Sequence, residues 1–179
     1  GSLDFGDNYT VTYVSDNLTI TARAITITAD SQSKTYGDAD PELTWQVTAG
    51  SLVGTDAPTG TLSRAAGEDI GGYAILPGSL DFGDNYTVAY VSDNLTITAR
   101  AITVTVDAKN KTYGDTDPEL TWQVTAGSLV GTDAPTGTLS RAAGENVGGY
   151  AILPGSLDFG DNYTVTYVSD NLTITARAI

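Results

Sequence analysis

The sequence contains no cysteine, no histidine and no methionine. Without cysteine, disulfide bonds and thiolate metal sites are excluded. Without histidine, general acid–base catalysis would depend on carboxylates held apart in a pocket with shifted pKa values. No serine lies in a Gly-x-Ser-x-Gly context either. We therefore expect a protein that is not an enzyme and that is stabilised by β-pairing and packing alone.

Basic residues and long apolar runs are also scarce. Eight lysines and arginines face 22 aspartates and glutamates, which gives a net charge of −14. Such an acidic surface makes nucleic acid and anionic membranes poor partners. No stretch approaches the roughly 18 consecutive apolar residues of a transmembrane helix. We expect no nucleic-acid binding and no membrane insertion.

The sequence is instead dominated by an internal repeat. The segment that begins at Gly1 recurs at Gly78 and at Gly155, a spacing of 77 residues each time. Residues 24–100 and 101–177 differ at only nine aligned positions. A fixed period of this kind is typical of tandem arrays. The predicted units are the C-terminal strands of a truncated repeat at 1–23, repeat 1 at 24–100, repeat 2 at 101–177 and the start of a next repeat at 178–179.

Within each repeat, apolar and polar residues alternate with a period of two. Ile102, Val104 and Val106, for example, alternate with threonines. This period indicates β-strands, and Gly-, Asp- and Pro-rich segments separate them. Each repeat predicts about six strands and at most one short helical turn. The predicted fold class is mainly β, in small tandem domains.

The junction between the repeats contains neither glycine nor proline from Asn94 to Val106. Nothing there is typical of a flexible linker. Apolar residues occupy odd positions up to Ala99 and even positions from Ile102, and one strand cannot bury both sets on one side without a slip. We predict one near-continuous strand serving both repeats, with a twist or bulge at Arg100–Ala101. The same change of parity occurs at Arg23–Ala24.

Three motifs recur in the same order in both repeats. They are Lys34–Trp45, Leu62–Glu68 followed by Gly72–Ile75, and Asn85–Val88, with second copies between Lys111 and Val165. Together these motifs resemble the MBG repeats of bacterial surface proteins, and the resemblance covers essentially the whole chain. It implies compact β-grasp-like domains, with a sandwich-like arrangement as the alternative. It also implies a tandem array in a secreted or cell-wall-associated adhesin of the filamentous haemagglutinin-like kind.

This resemblance carries no binding residue over to the chain, although the family name implies association with mucin or glycan. We expect an extracellular structural stalk, in which neighbouring repeats are each other's partners and project a distal functional domain. The alternative is an adhesive repeat that binds a mucin-type glycan or a host protein directly. Near-identical neighbours can also exchange strands during folding, so a strand-swapped dimer is a further prediction.

Carboxylates cluster after a glycine in each repeat. The clusters consist of Asp38, Asp40 and Glu42 in repeat 1 and of Asp115, Asp117 and Glu119 in repeat 2. We interpret each cluster as a turn in which aspartate caps backbone amides and proline restricts φ. The alternative is a calcium site, because Ca²⁺ prefers several oxygen ligands. No other cofactor is predicted.

Two further residue types have an ordinary and a functional interpretation. Lys34 and Lys111 are interpreted as parts of a solvated face, and an intramolecular isopeptide bond is the alternative. Trp45 and Trp122 are interpreted as core residues because they alternate with apolar neighbours. The functional alternative is a sugar-stacking surface, which would join these tryptophans to Tyr86, Tyr90, Tyr163 and Tyr167.

Overall fold

The structure is a computed structural model of the chain that describes residues 3–179. Residues 1 and 2 of the predicted truncated repeat lie outside the described residues. Residues 3–179 contain fourteen strands and no helix. Accordingly, no helix of the described chain is long and apolar enough to cross a membrane. The prediction of a mainly β fold in tandem domains is confirmed.

Each repeat has seven strands at corresponding positions. Repeat 1 contains β1 (Arg23–Ala29), β2 (Gln32–Thr35), β3 (Trp45–Ala49), β4 (Ser63–Arg64), β5 (Gly71–Leu76), β6 (Tyr86–Val91) and β7 (Asn94–Thr98). Repeat 2 contains β8 (Arg100–Val106), β9 (Lys109–Thr112), β10 (Trp122–Ala126), β11 (Ser140–Arg141), β12 (Gly148–Leu153), β13 (Tyr163–Val168) and β14 (Asn171–Thr175).

The strands of each repeat form two small sheets. In repeat 1 the orders are β3-β1-β6 and β2-β7-β5-β4, and repeat 2 has the same orders with its own strands. β1 pairs in parallel with β6, and β2 pairs in parallel with β7, whereas the other pairs are antiparallel. Of the two predicted architectures, this two-sheet arrangement corresponds to the sandwich-like one.

The first strand of each repeat runs through the centre of its core. Alternation along β1 buries Ile25, Ile27 and Ala29 and leaves the intervening threonines half-buried. Ile25 and Ile27 belong to one core cluster and Ala29 to a second, and Tyr90 packs against both. One continuous apolar interior therefore joins the two sheets of the repeat.

The strand that patterning did not predict is the second strand of each repeat. In repeat 2 this is β9, whose sequence Lys-Asn-Lys-Thr has no apolar residue to produce a period-two signal. Its inward residue is Lys111, which is buried. Seven strands therefore form in each repeat where about six were predicted, and the additional one escaped patterning because its buried position carries a charge.

The predicted strands of the truncated repeat do not form within residues 3–22. Leu18 and Ile20 are exposed, and the first strand begins at Arg23. The predicted change of strand parity at Arg23–Ala24 is therefore absent. In the complete repeats the same sequence pairs with strands that precede it in its own repeat, such as β1, β2 and β5. Residues 3–22 have no such partners, and an isolated hairpin is only marginally stable.

Candidate functional site at the junction between repeats

The backbone passes from repeat 1 to repeat 2 with a one-residue break. β7 ends at Thr98, Ala99 lies outside both strands, and β8 begins at Arg100. Leu95 and Ile97 are buried in repeat 1 and Ile102 in repeat 2, so the predicted change of parity is confirmed. The break lies at Ala99, and the register irregularities that do occur are internal to the repeats, in the pairing of β1 with β3 and of β8 with β10.

Arg100 ties this crossing to a turn of repeat 1. Its backbone pairs with Tyr163 in the sheet of repeat 2, which makes it part of that repeat. Its side chain reaches back, and Nε donates to the carbonyl oxygen of Tyr36 at 2.7 Å. The same guanidinium also forms an ion pair with Asp38. A residue of the second repeat therefore holds the Tyr36–Gly37–Asp38 turn of the first.

The side chain of Tyr36 crosses into repeat 2. Its hydroxyl donates to Oδ2 of Asp133 at 2.9 Å, and the Tyr163 hydroxyl donates to the same oxygen at 2.6 Å. The two rings meet edge to face with centroids 5.6 Å apart. Tyr36 also packs against the core cluster that contains Ile102 and Val104. The apolar interior of repeat 2 thus extends across the junction.

The shared carboxylate affects both phenols. The hydrogen bond to Asp133 raises the pKa of Tyr36 above its usual value. Burial raises the pKa of Tyr163, and its bond to Asp133 adds to this effect. Both hydroxyls therefore remain protonated donors at neutral pH, which the shared acceptor requires.

Gly37 permits the close approach of the two repeats. Its φ of +83° lies in the left-handed region, which favours glycine. A Cβ atom at this position would lie 2.4 Å from Cγ2 of Val130 in repeat 2. The glycine therefore serves both the turn and the contact between repeats.

A second point of contact involves an amide. Nδ2 of Asn162 donates to Oδ1 of Asp69 at 2.8 Å, and Oδ1 of Asn162 accepts from the backbone nitrogen of Ile70 at 2.9 Å. The carbonyl oxygen of Asn162 accepts from the backbone nitrogen of Arg100 at 2.9 Å. One residue thus bonds both to the body of repeat 1 and to the crossing strand, so the junction has lateral as well as axial contacts.

Away from the junction, each repeat contains a cluster of ion pairs. Nζ of Lys34 donates to Asp40 at 2.7 Å and to Glu68 at 2.5 Å, and Arg64 pairs with the same two carboxylates. Arg64 also lies over the ring of Tyr73, with its guanidinium carbon 5.4 Å from the centroid. Repeat 2 contains the same cluster, with Lys111, Asp117, Arg141 and Glu145. The interpretation of the lysines as parts of a solvated face was wrong, because both are buried and ion-paired.

The charges in this cluster argue against an isopeptide bond. Hydrogen bonds from Arg64 and Lys34 lower the pKa of Asp40 to about 2, and bonds to the carboxylates raise the pKa of Lys34. Amide formation needs a neutral amine and a protonated carboxyl group. The cluster instead stabilises the protonated amine of Lys34 and the ionised carboxylate of Asp40.

The predicted calcium ligands do not converge. Asp40 pairs with Lys34 and Arg64, whereas Asp38 pairs with Arg100. Asp117 and Asp115 have the equivalent partners in repeat 2, and Glu42 and Glu119 join neither set. Within residues 3–179, no group of three or more acidic side chains could hold a metal ion. The geometry supports the interpretation as a turn, and the calcium site remains a prediction without a converging ligand set.

The aromatic residues pack mainly on one another. Trp45 meets Phe82 edge to face at 5.4 Å, and Trp122 meets Phe159 at 5.3 Å. Both tryptophans pack against the core clusters of their repeats, and Tyr86 and Tyr163 are buried. The interpretation of these residues as core is confirmed.

Sequence reasoning located the junction but not its side chains. The change of parity pointed to the crossing strand, whereas Tyr36 and Gly37 belong to a recurring motif that does not itself indicate a contact between repeats. Asp133, Val130 and Asn162 gave no local signal, because they meet Tyr36, Gly37 and Asp69 only after both repeats have folded.

The sequence model of the MBG domain (YGX type) family matches the chain twice, at residues 25–96 and 102–173. The Tyr36–Gly37 and Tyr113–Gly114 pairs lie within the two matched segments. No curated protein and no solved structure matches the chain.

Proposed function

Because this chain belongs to the MBG domain family in two tandem copies, we propose that it is an extracellular stalk module of a bacterial surface or secreted adhesin. Its repeats hold a fixed relative orientation and project a distal functional domain. The role is structural rather than enzymatic.

The observation that carries the proposal is the double connection between the repeats. A single residue, Ala99, separates the strands of the two repeats, so the covalent link has almost no slack. Side-chain contacts through Tyr36 and through Asn162 then hold the repeats from two directions. A contact on one side would permit rotation about the crossing strand, whereas two contacts oppose it. Rigid spacing is what a projecting stalk requires.

Small-angle X-ray scattering from the two-repeat chain, extrapolated to zero concentration, tests the proposal. We expect one elongated particle whose scattering agrees with a single relative orientation of the repeats. A profile that requires an average over many hinge angles would contradict the stalk.

Direct adhesion is the second candidate function. It is supported by a cleft of about 450 Å³ in repeat 1 between residues 40–45 and 60–64. Trp45 borders it together with the polar side chains of Glu42 and Ser63, and an aromatic ring beside polar groups is a combination suited to a sugar. A glycan array probed with the two-repeat chain, with and without calcium, tests this candidate. The absence of binding in both conditions would reject it.

A further inference from the structure

The first and last segments of each repeat pair with each other in both sheets. We call residues 23–35 and 100–112 the leading arms and residues 86–98 and 163–175 the trailing arms. In repeat 1, Arg23 pairs with Tyr86 and Thr35 pairs with Thr98, so the partners are 63 positions apart at both ends of the arms. Repeat 2 has the same offset along both of its parallel pairings. The two arms of a repeat therefore run side by side, in one direction and in one register.

Each arm is fixed on its other side in one of the two sheets. In repeat 1, β1 of the leading arm lies between β6 and β3, and β7 of the trailing arm lies between β2 and β5. The remaining strands of the arms, β6 and β2, lie at the edges of their sheets. The leading arm is thus anchored in the first sheet and the trailing arm in the second. Removal of either arm requires strands to separate in both sheets.

The ladder of hydrogen bonds between the arms is backed by the core of the repeat. The buried apolar side chains of the two arms in repeat 1 are Ile25, Ile27, Ala29, Tyr86, Leu95 and Ile97. Backbone bonds also continue to the ends of the ladder, where the nitrogen of Arg23 donates to Asn85 and the nitrogen of Tyr36 donates to Thr98, both at 2.8 Å. Water therefore has little access to these bonds from the core side.

Tension along a tandem array enters and leaves each repeat at opposite ends of this ladder. The chain enters repeat 1 at the start of its leading arm and leaves at the end of its trailing arm, where Ala99 alone precedes the leading arm of repeat 2. Because the arms are parallel, tension slides one arm along the other and loads the bonds of the ladder together. In an antiparallel pair both points would lie at one end, and the bonds would break one after another.

The rest of the repeat lies off this path. Residues 36–85 connect the two arms of repeat 1, so they carry tension only after the arms have separated. Arg64 and Glu68 of the ion-pair cluster and the cleft beside Trp45 belong to this segment. Their geometry is therefore protected from load as long as the ladder holds.

We propose that each repeat is a mechanical clamp, in which the leading and trailing arms resist shear so that the array bears tension without extending. This inference goes beyond the stalk proposed above, because a stalk needs resistance to bending whereas a clamp provides resistance to pulling. The clamp is a property of the single repeat and does not depend on the orientation of its neighbour.

Single-molecule pulling with optical tweezers tests the proposal. The chain has no cysteine, so two engineered cysteines are its only attachment points. Thr21→Cys with Ala178→Cys loads both repeats in shear, whereas Thr21→Cys with Asp84→Cys pulls apart the starts of the two arms of repeat 1 and peels the same ladder. All three residues are exposed and lie outside strands. At equal loading rates we expect the rupture force to be at least about twofold higher in shear, because unfolding under force is limited by the rate of breaking this ladder.

The shear geometry should also give two discrete steps, one for each repeat. Each repeat of 77 residues extends to about 270 Å, and the folded arms already span about 40 Å, so each step should lengthen the chain by about 230 Å. Gradual extension without steps, or equal rupture forces in the two geometries, would overturn the proposal.

Two double variants separate the strength of the ladder from the overall stability of the repeat. Arg64→Gln with Arg141→Gln alters the segments off the load path, so it should lower the urea midpoint and leave the shear force unchanged. Ile97→Val with Ile174→Val thins the core beside the trailing arms, so it should lower the shear force. A shear force that falls as far in the arginine variant as in the isoleucine variant would contradict the clamp. The scattering test of the stalk is independent of these results, because it measures orientation without load.

Discussion

At the residue scale, the junction depends on side chains that serve two repeats at once. Asp133 accepts a hydroxyl from Tyr36 in one repeat and from Tyr163 in the other. Gly37 combines a left-handed turn with a contact that leaves no room for a side chain. Each residue has a counterpart 77 positions away where the neighbouring repeat is absent, and this provides internal controls.

The glycine pair separates backbone strain from crowding at the junction. Alanine at either Gly37 or Gly114 must adopt a positive φ, which costs about 1–2 kcal/mol. Only at Gly37 would the new methyl group also meet Val130, at 2.4 Å, since the atoms nearest to Gly114 are 3.6 Å away. We expect Gly37→Ala to lower the thermal midpoint more than Gly114→Ala. Calorimetry of both variants measures the difference, and equal losses would show that crowding at the junction is not significant.

The ion-pair clusters predict a specific response to acid. The pKa of Asp40 and of Asp117 is lowered from 3.8 to about 2 in the folded chain, mainly by hydrogen bonds from Arg64 and Arg141. A carboxyl group whose pKa is lowered by folding stabilises the folded chain at any pH above its pKa in the unfolded chain. This stability is lost as the pH falls to its pKa in the folded chain. Urea titrations should therefore show a loss of stability between about pH 4 and about pH 2.

The control for this prediction is removal of the arginine that lowers the pKa. Arg64→Gln with Arg141→Gln should be less stable at neutral pH and should lose less stability on acidification over the same range. An unchanged dependence of stability on pH in this double variant would contradict the assignment.

The intact mass of the parent chain should also equal the mass of the unmodified sequence, because the clusters disfavour amide formation.

At the element scale, one sequence occurs in two structural states. Residues 3–23 and 157–177 are identical, yet the second segment contains β13 and β14 and the first contains no strand before Arg23. β13 pairs with β8, and β14 lies between β9 and β12. Strand formation by this segment therefore depends on partners from earlier in its own repeat and not on local propensity.

Amide hydrogen exchange distinguishes the two segments directly. We expect the amides of β13 and β14 to be protected. The amides of residues 9–21 should exchange at least about two orders of magnitude faster. The equivalent amides in β6 and β7 provide the control within repeat 1. Strong protection of residues 9–21 would instead support the strand-swapped dimer, in which a second chain supplies the missing partners.

At the scale of the whole molecule, the contacts at the junction predict that the two repeats move as one rigid body. Tyr36 provides the most extensive contact, with a hydrogen bond to Asp133, an edge-to-face ring contact with Tyr163 and packing on the core of repeat 2. Tyr113 makes the corresponding turn at the free end. Alanine at Tyr36 removes the junction contacts, and alanine at Tyr113 makes the same change at the other end of the chain, so the pair tests rigidity with a matched control.

Residual dipolar couplings measure the relative orientation of the repeats in dilute solution. In the parent chain and in Tyr113→Ala, both repeats should align with the same tensor magnitude. In Tyr36→Ala, the tensors of the two repeats should differ, and stability should fall by about 1–2 kcal/mol through the lost hydrogen bond and ring contact. Equal tensors in this variant would show that the crossing strand and the contacts of Asn162 are sufficient to set the orientation.

The repeat period, the β character and the crossing strand were determined by the sequence itself. Identity at a spacing of 77 is visible without any structure, and the change of parity between Ile97 and Ile102 requires opposite faces to be buried on either side of the junction. These are local regularities, and local regularities can be read along a chain.

Only the tertiary structure decided the burial of Lys34, the strand formed by Lys109–Thr112 and the partners of Tyr36. Burial of Lys34 is possible because Asp40 and Glu68, from separate segments, form ion pairs with it. The strand Lys109–Thr112 contains no apolar residue, so no alternating pattern predicts it. The identical segments 3–23 and 157–177 likewise differ in structure, because only the second has partner strands beside it. In each case the deciding interaction joins residues that are distant in the chain, so no pattern within one segment could reveal it.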